Sequence, residues 1–258
     1  MMSCSWGRLA QRIGLACITL ALAACASVPP NAGQDRRDPL ESVNRQVFAF
    51  NDTVDRVAIR PVARAYVDYL PEGVRSCFSN AFSNLREPSN AVNNLLQGKA
   101  EAAVWSGVRL VLNSTFGIVG CFDVAGSSGI ERYPEDFGQT LGVWGLKPGV
   151  YLVWPVFGPS SVRDTTGLGV ETFLDPNFYL NEPVAAWGLA GARVINLRAE
   201  LLPADKLLET ALDPYLAVRE AYFQRRRSLV YDGYAPLELD PDEAPDAPAV
   251  APQAPQSE

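Results

Sequence analysis

The chain has 258 residues, with 22 basic and 29 acidic side chains, a formal net charge of −7 and no histidine. The missing imidazole removes Ser-His-Asp and Cys-His nucleophilic catalysis, the usual general base and the usual zinc and iron sites. No phosphate-cradling glycine loop or dinucleotide fingerprint takes their place, and no basic stripe points to nucleic acid. No enzyme, cofactor or metal is therefore expected.

Residues 1–24 carry Arg8 and Arg12, then an apolar run from Ile13, then Leu22-Ala23-Ala24 before Cys25. A charged start, an apolar stretch too short to span a bilayer and a small-residue cut site predict a cleaved secretory signal. With a cysteine directly after the cut, the junction resembles the lipobox of bacterial lipoproteins, which implies that Cys25 becomes the acylated first residue of the mature chain. An anchor of two or more acyl chains is stable, whereas one alone is reversible. Because Ala26, not Asp, follows Cys25, the same resemblance implies delivery to the outer membrane with the body facing the periplasm. Residues 25–37 read as a lipidated polar tether.

The folded body is expected over residues 38–234. Asp38-Pro39 with Glu41 predicts a capped helix start, and Leu40, Val43, Val47, Phe50, Val54 and Val57 form an apolar stripe that should end near Arg60-Pro61. Asn44, Arg45 and Asn51 lie beside that stripe, either capping neighbouring helices or lining a path. Further helical stripes are Trp105, Val108 and Leu112; Trp187, Ala190, Val194, Leu197 and Leu201; and Tyr215, Val218 and Tyr222 after Asp213-Pro214. Each is expected to face the core, with lipid contact as the alternative.

Between these, Phe116 to Gly129 places Gly117, Gly120, Gly126 and Gly129 among Ile118, Val119, Phe122 and Val124. Such a run is a poor helix and predicts an apolar loop or hairpin; it is the candidate gate or channel element, with a rigid packed turn as the alternative. Val150 to Phe157 predicts a short extended segment broken by Pro155, and Tyr151, Trp154 and Phe157 suit either a membrane interface or the core. Arg163-Asp164 is a candidate headgroup contact or an internal ion pair, and Asp123 and Arg219 are either buried partners or ligands. Glu131, Glu135 and Asp136 are the carboxylates nearest to a glycosidase-like pair, and a charged loop accounts for them as well. Arg225, Arg226 and Arg227 read as a solvated helix end or a lipid headgroup contact.

Cys77 and Cys121 are the cysteines left after the signal and the acylation site are set aside, so a disulfide between them is expected in an oxidising compartment. It would close a loop of about 45 residues and contribute about 4 kcal/mol on chain-entropy grounds. Residues 235–258, with six prolines, six acids and no Lys or Arg, predict a disordered tail. The whole reads as mainly α with a non-helical middle.

The body also resembles a known family, the VacJ or MlaA outer-membrane lipoproteins. The matching runs are Asp38-Pro39-Leu40-Glu41, Asn44-Arg45, Arg60-Pro61-Val62-Ala63, Asn84-Leu85, Glu87-Pro88 and Leu96-Gln97-Gly98. They continue with Phe122-Asp123-Val124-Ala125, Phe137-Gly138-Gln139-Thr140-Leu141-Gly142, Arg163-Asp164, Asp213-Pro214-Tyr215 and Arg219-Glu220-Ala221-Tyr222-Phe223-Gln224-Arg225. The resemblance spans Asp38 to about Arg227. It implies a ring of amphipathic helices lying in the membrane interface around an amphipathic channel, and the removal of phospholipid from the outer leaflet to a soluble periplasmic lipid carrier, in association with a trimeric porin. The alternative is a membrane-anchored envelope scaffold that binds porins without moving lipid.

Overall fold

The computed structural model describes residues 32–236. The signal segment, Cys25 and nearly all of the acidic tail lie outside the described residues.

Helix α1, Glu41–Val54, runs through a π-helical turn at Asp55–Ile59 into α2, Arg60–Tyr69. Two expectations are corrected here. The helix starts at Glu41 and not at Asp38, because the Asp38 carboxylate is drawn inward to accept from Asn44 Nδ2 at 2.8 Å and Arg219 Nη1 at 3.1 Å and so does not cap it. Nor does the helix stop at Arg60-Pro61. The wider turn lets the Arg60 amide reach Asp55 O, and Pro61, which has no amide hydrogen and would clash in a regular helix interior, falls at the start of a new segment.

Then follow α3 (Glu72–Leu85), α4 (Glu87–Leu96), α5 (Ala100–Thr115), a turn-sized α6 (Val124–Ser127) and α7 (Phe137–Val143). The hairpin β1 (Tyr151–Trp154) and β2 (Gly158–Ser161) pairs Tyr151 with Ser161 and Trp154 with Gly158. It leads into α8 (Val162–Leu174), a 3-10 turn at Pro176–Tyr179, α9 (Pro183–Leu201), α10 (Asp205–Glu209) and α11 (Pro214–Val230). The expected strand is thus a hairpin, with Pro155 in its turn.

What the helices bury is inverted relative to a water-soluble protein. Among the described residues, buried polar and charged side chains outnumber buried apolar ones by more than two to one. Helix α5 buries Ala102, Ser106, Arg109 and Asn113 at helical spacing, and α4 buries Glu87, Ser89, Asn90, Asn93 and Asn94. These two polar faces meet through the Arg109–Glu87 ion pair, and the α4 face finds further partners on its own helix and on α8: Asn90 donates to Glu87 Oε2 at 3.0 Å, and Asn93 donates to Glu171 Oε1 at 2.8 Å. Arg109 donates to Glu87 Oε1 at 3.0 Å and to Asp123 Oδ1 at 2.8 Å.

The apolar stripes point the other way. Val43, Phe50 and Val57 of the α1 segment are exposed, Val57 by 76%; so are Val104, Trp105 and Val111 of α5, and Trp187 of α9 by 79%. The core-facing expectation therefore fails for α9, where Trp187, Val194, Leu197 and Leu201 are all exposed, and only in part for α5, where Trp105 is exposed while Val108 and Leu112 are half-buried; in α1, Val47 packs on the core while the ends of the stripe are exposed. The expectation holds for α11, where Tyr215 packs with Tyr151, Tyr222 and Phe223 in an aromatic cluster. Asn44, Arg45 and Asn51 are structural but cap no helix: Arg45 pairs with Glu41 and Asp213, and the two asparagines bond the hairpin backbone. One turn-pair apart on α1, they complete the edge of the hairpin, Asn44 bonding Tyr151 O and Val153 N and Asn51 bonding Trp154 O and Val156 N.

Candidate functional site

A cavity of about 460 Å³ opens between the end of α3, the start of α4, α8, the 3-10 turn after it, α9 and α11. Its position depends on a close approach of α7 and α8. A Cβ on Gly167 would lie 2.5 Å from the Gly138 amide nitrogen, so only glycine allows the two backbones to meet there. That contact sets Asp136, just ahead of α7, beside Asp164 of α8.

Arg226 of α11 bridges these two acids. Its Nη1 and Nη2 donate to Asp136 at 2.5 and 2.9 Å, Nη2 also donates to Asp164 Oδ1 at 2.9 Å, and Nε lies 2.7 Å from Asp164 Oδ2. Burial alone would raise the Asp136 carboxyl, but the Arg226 guanidinium overrides it and holds the group at about 2. Asp164 is also lowered against its burial, by Arg163 Nε at 2.8 Å and by Arg226, and it accepts from the Tyr222 hydroxyl. The remaining wall carboxylates are also engaged. Glu171 accepts from Ser89, Asn93 and the Phe137 amide, and Asp175 accepts from Arg193 Nη1 and the Asn177 amide.

The apolar part of the lining is Leu85, Leu168, Leu174 and Phe178. Leu168 and Phe178 are also on the outer surface, so the apolar wall is continuous with the apolar exterior. The arrangement suits an amphipathic ligand, polar at one end and needing a dry path at the other.

The sequence-predicted residues distribute unevenly. Asp164 lines the cavity while Arg163 is buried behind it, forming the internal ion pair. Gly117, Gly120, Phe122, Val124, Gly126 and Gly129 do not line it. They form an apolar prong after α5 with Phe116, Ile118, Val119 and Phe122 exposed, and Ile118 and Val119 sit at φ 51° and 55°, where β-branched residues are rare. The prong's base is fixed: Cys77 and Cys121 are disulfide-bonded, and the Asp123 carboxylate takes Arg109, Asn113 and the Gly126 amide. Its pKa falls to about 2 despite burial, through the Gly126 amide and Arg109. A Cβ at Gly120 would strike Asn84 at 2.7 Å, which further pins the turn.

Glu135 and Asp136 do not act as a free carboxylate pair, since Glu135 is held by Gln97 and Lys99 and Asp136 by Arg226. Arg219 is a buried partner of Asp38. Tyr151 is core, whereas Trp154 and Phe157 are exposed at the hairpin tip. Arg226, expected with Arg225 and Arg227 at a solvated helix end or a headgroup contact, is instead drawn inward between Asp136 and Asp164 as a wall residue. The signal for it lay in spacing, since Tyr215, Arg219, Tyr222 and Arg226 fall on one face of α11.

The family described as MlaA lipoprotein matches residues 36–229. Over 242 residues the chain is 40% identical to the intermembrane phospholipid transport system lipoprotein MlaA of Escherichia coli (strain K12), covering 92% of this chain and 93% of that one. The protein of the same description from Haemophilus influenzae is 32% identical over 222 residues, covering 83% and 88%. A solved structure described as the structural basis for maintenance of bacterial outer membrane lipid asymmetry matches with a TM-score of 0.68 at 39% identity, covering 76% of this chain and 100% of that one. The chain belongs to the MlaA lipoprotein family.

Proposed function

We propose that this protein is an outer-membrane lipoprotein of intermembrane phospholipid transport, which withdraws phospholipid from the outer leaflet and so maintains lipid asymmetry. The single observation that carries this reading is the inversion of the body, a hydrogen-bonded polar interior under an apolar exterior. Apolar stripes that remain exposed across several helices mark a surface meant for another apolar phase. Polar groups buried together and joined by hydrogen bonds and ion pairs are what a lipid environment favours in the interior. Among the described residues no helix is long and apolar enough to cross a membrane. The amphipathic helices therefore lie in the interface as a ring around the lipid path.

In this reading the lipid enters by the cavity between α8, α9 and α11, with its head toward the arginine-carboxylate wall and its tails along Leu168, Leu174 and Phe178. The chemistry is transfer without bond cleavage. Acylation at Cys25 adds a second attachment to a body already seated in lipid. The segment Gly117 to Gly129, expected as a gate, serves as a fixed apolar prong in the bilayer because its base is held by the disulfide and Asp123. A soluble periplasmic carrier receives the lipid, and a trimeric porin provides lateral support. Deleting the gene and scoring phospholipid exposed on the cell surface tests the function. Exposure should rise several-fold and fall again on complementation with this chain; unchanged exposure would contradict it.

A further inference from the structure

The cavity walls show which part of a ligand they can still bind. Each of the four wall carboxylates, Asp136, Asp164, Glu171 and Asp175, already accepts two or more protein donors. The cations are less fully used. Arg226 is taken up by Asp136 and Asp164, but the Arg86 guanidinium, at the exposed lip, has no hydrogen-bond or ion-pair partner among the described residues. Arg193 donates only through Nη1, to Asp175, while its Nε and Nη2 are occluded from solvent and find no acceptor. Its guanidinium rests over the Phe82 ring, 5.8 Å from the centroid, an attachment loose enough to let it turn. Occluded donors on a charged group cost more than ordinary unpaired groups, so a ligand oxygen that reaches them forms a charge-assisted bond, although the Arg193 side chain as a whole is 31% exposed.

We propose that Arg193, with Arg86 at the lip, binds the phosphodiester of a phospholipid headgroup at this cavity. The inference rests on the phospholipid-transport reading above. Arg193 turns about its bond to Asp175 to present Nε and Nη2 to the non-bridging phosphate oxygens, as a guanidinium fork allows. Arg86 closes the open side. The acyl chains leave along Leu168, Leu174 and Phe178 toward the apolar exterior.

The test uses the full acylated chain in detergent, with fluorescently tailed phosphatidylethanolamine as probe, diacylglycerol of the same tails as the phosphate-free comparison, and inorganic phosphate in excess as competitor. Phosphatidylethanolamine should bind and diacylglycerol should bind at least about tenfold more weakly, as expected for hydrogen bonds to a charged group. Inorganic phosphate should not displace the lipid. R193Q should weaken phosphatidylethanolamine about tenfold and R86Q by less, with diacylglycerol binding unchanged by either. R86Q removes no hydrogen bond or ion pair seen among the described residues, and circular dichroism checks that R86Q and R193Q are folded. Equal binding of the two probes by the wild-type chain, displacement by inorganic phosphate, or R86Q and R193Q both binding as wild type would overturn the headgroup site while leaving transport standing. Failure of the wild-type chain to bind either probe would remove the transport reading itself.

Discussion

The hub at Arg109 gives the sharpest stability prediction. Arg109 and Glu87 are each 1% exposed; Nε donates to Glu87 at 3.0 Å, Nη1 to Ile130 O at 2.6 Å and Nη2 to Asp123 at 2.8 Å. Changing Arg109→Met leaves Glu87 a buried carboxylate whose remaining side-chain donor is Asn90, and strips a donor from the Ile130 carbonyl. Asp123 is 27% exposed and can regain water, so it adds little to the cost. Breaking a buried pair by removing one member costs about 3–5 kcal/mol. For a domain of this size each kcal/mol lowers Tm by about 2–4 °C, so a fall of about 8–16 °C is expected at the middle of that range. The assay is thermal unfolding by circular dichroism in one detergent at fixed lipid content. Adding Glu87→Gln to Arg109→Met should recover several degrees, because the second change neutralises the stranded charge. A fall below about 3 °C, or a double variant less stable than Arg109→Met alone, would refute the claim that a satisfied ionic interior holds the α4 and α5 faces together.

The remaining predictions concern the acid side and the anchor. Because the folded Asp136 carboxyl is held at about 2, below the ordinary value, its contribution is present above pH ~4 and is lost as pH falls toward 2. Asp136→Asn should therefore lower stability at neutral pH and shrink the loss between pH ~4 and ~2, by up to about 1.4 kcal/mol per pH unit, in acid titrations followed by fluorescence. A Cys25→Ser form given an ordinary cleavage site should still partition into membranes or detergent on fractionation, because the exposed apolar faces of α1, α5 and α9 remain. Recovery as a freely soluble monomer would return membrane attachment to the acyl chains alone.

Much of the fold is legible in the chain, but its sense of inside and outside is not. The period of Val43, Val47, Phe50, Val54 and Val57 marks a helix, and Asp213-Pro214 starts α11 with the Asp213 carboxylate accepting from the Tyr215 and Leu216 amides. Periodicity states that a helix has two faces and is silent on which medium covers the apolar one. Ser89, Asn90, Asn93 and Asn94 are polar enough to read as a solvated face, yet they are buried because Glu171 of α8, Thr140 of α7 and the backbone of Tyr133 and Glu135 supply partners from far along the chain. The disulfide is readable because Cys77 and Cys121 are the residual cysteines once residues 1–24 and Cys25 are set aside. The cavity is not readable, since it gathers residues from Leu85 to Arg226 through the Gly138–Gly167 approach, a contact across 29 positions that no local pattern encodes. Pro61 misleads for a related reason: a π-helical turn absorbs it where local rules predict a stop.

If phospholipid leaves the outer membrane through this protein, the rate of that departure measures its function. Phospholipid labelled in the outer membrane of living cells would be followed to the inner membrane in a strain lacking the gene, and in the same strain carrying this chain or its R86Q, R193Q double variant. Departure should be several-fold slower without the protein, fully restored by the wild-type chain and partly restored by the double variant at equal abundance. Equal rates with and without the protein would contradict departure through it.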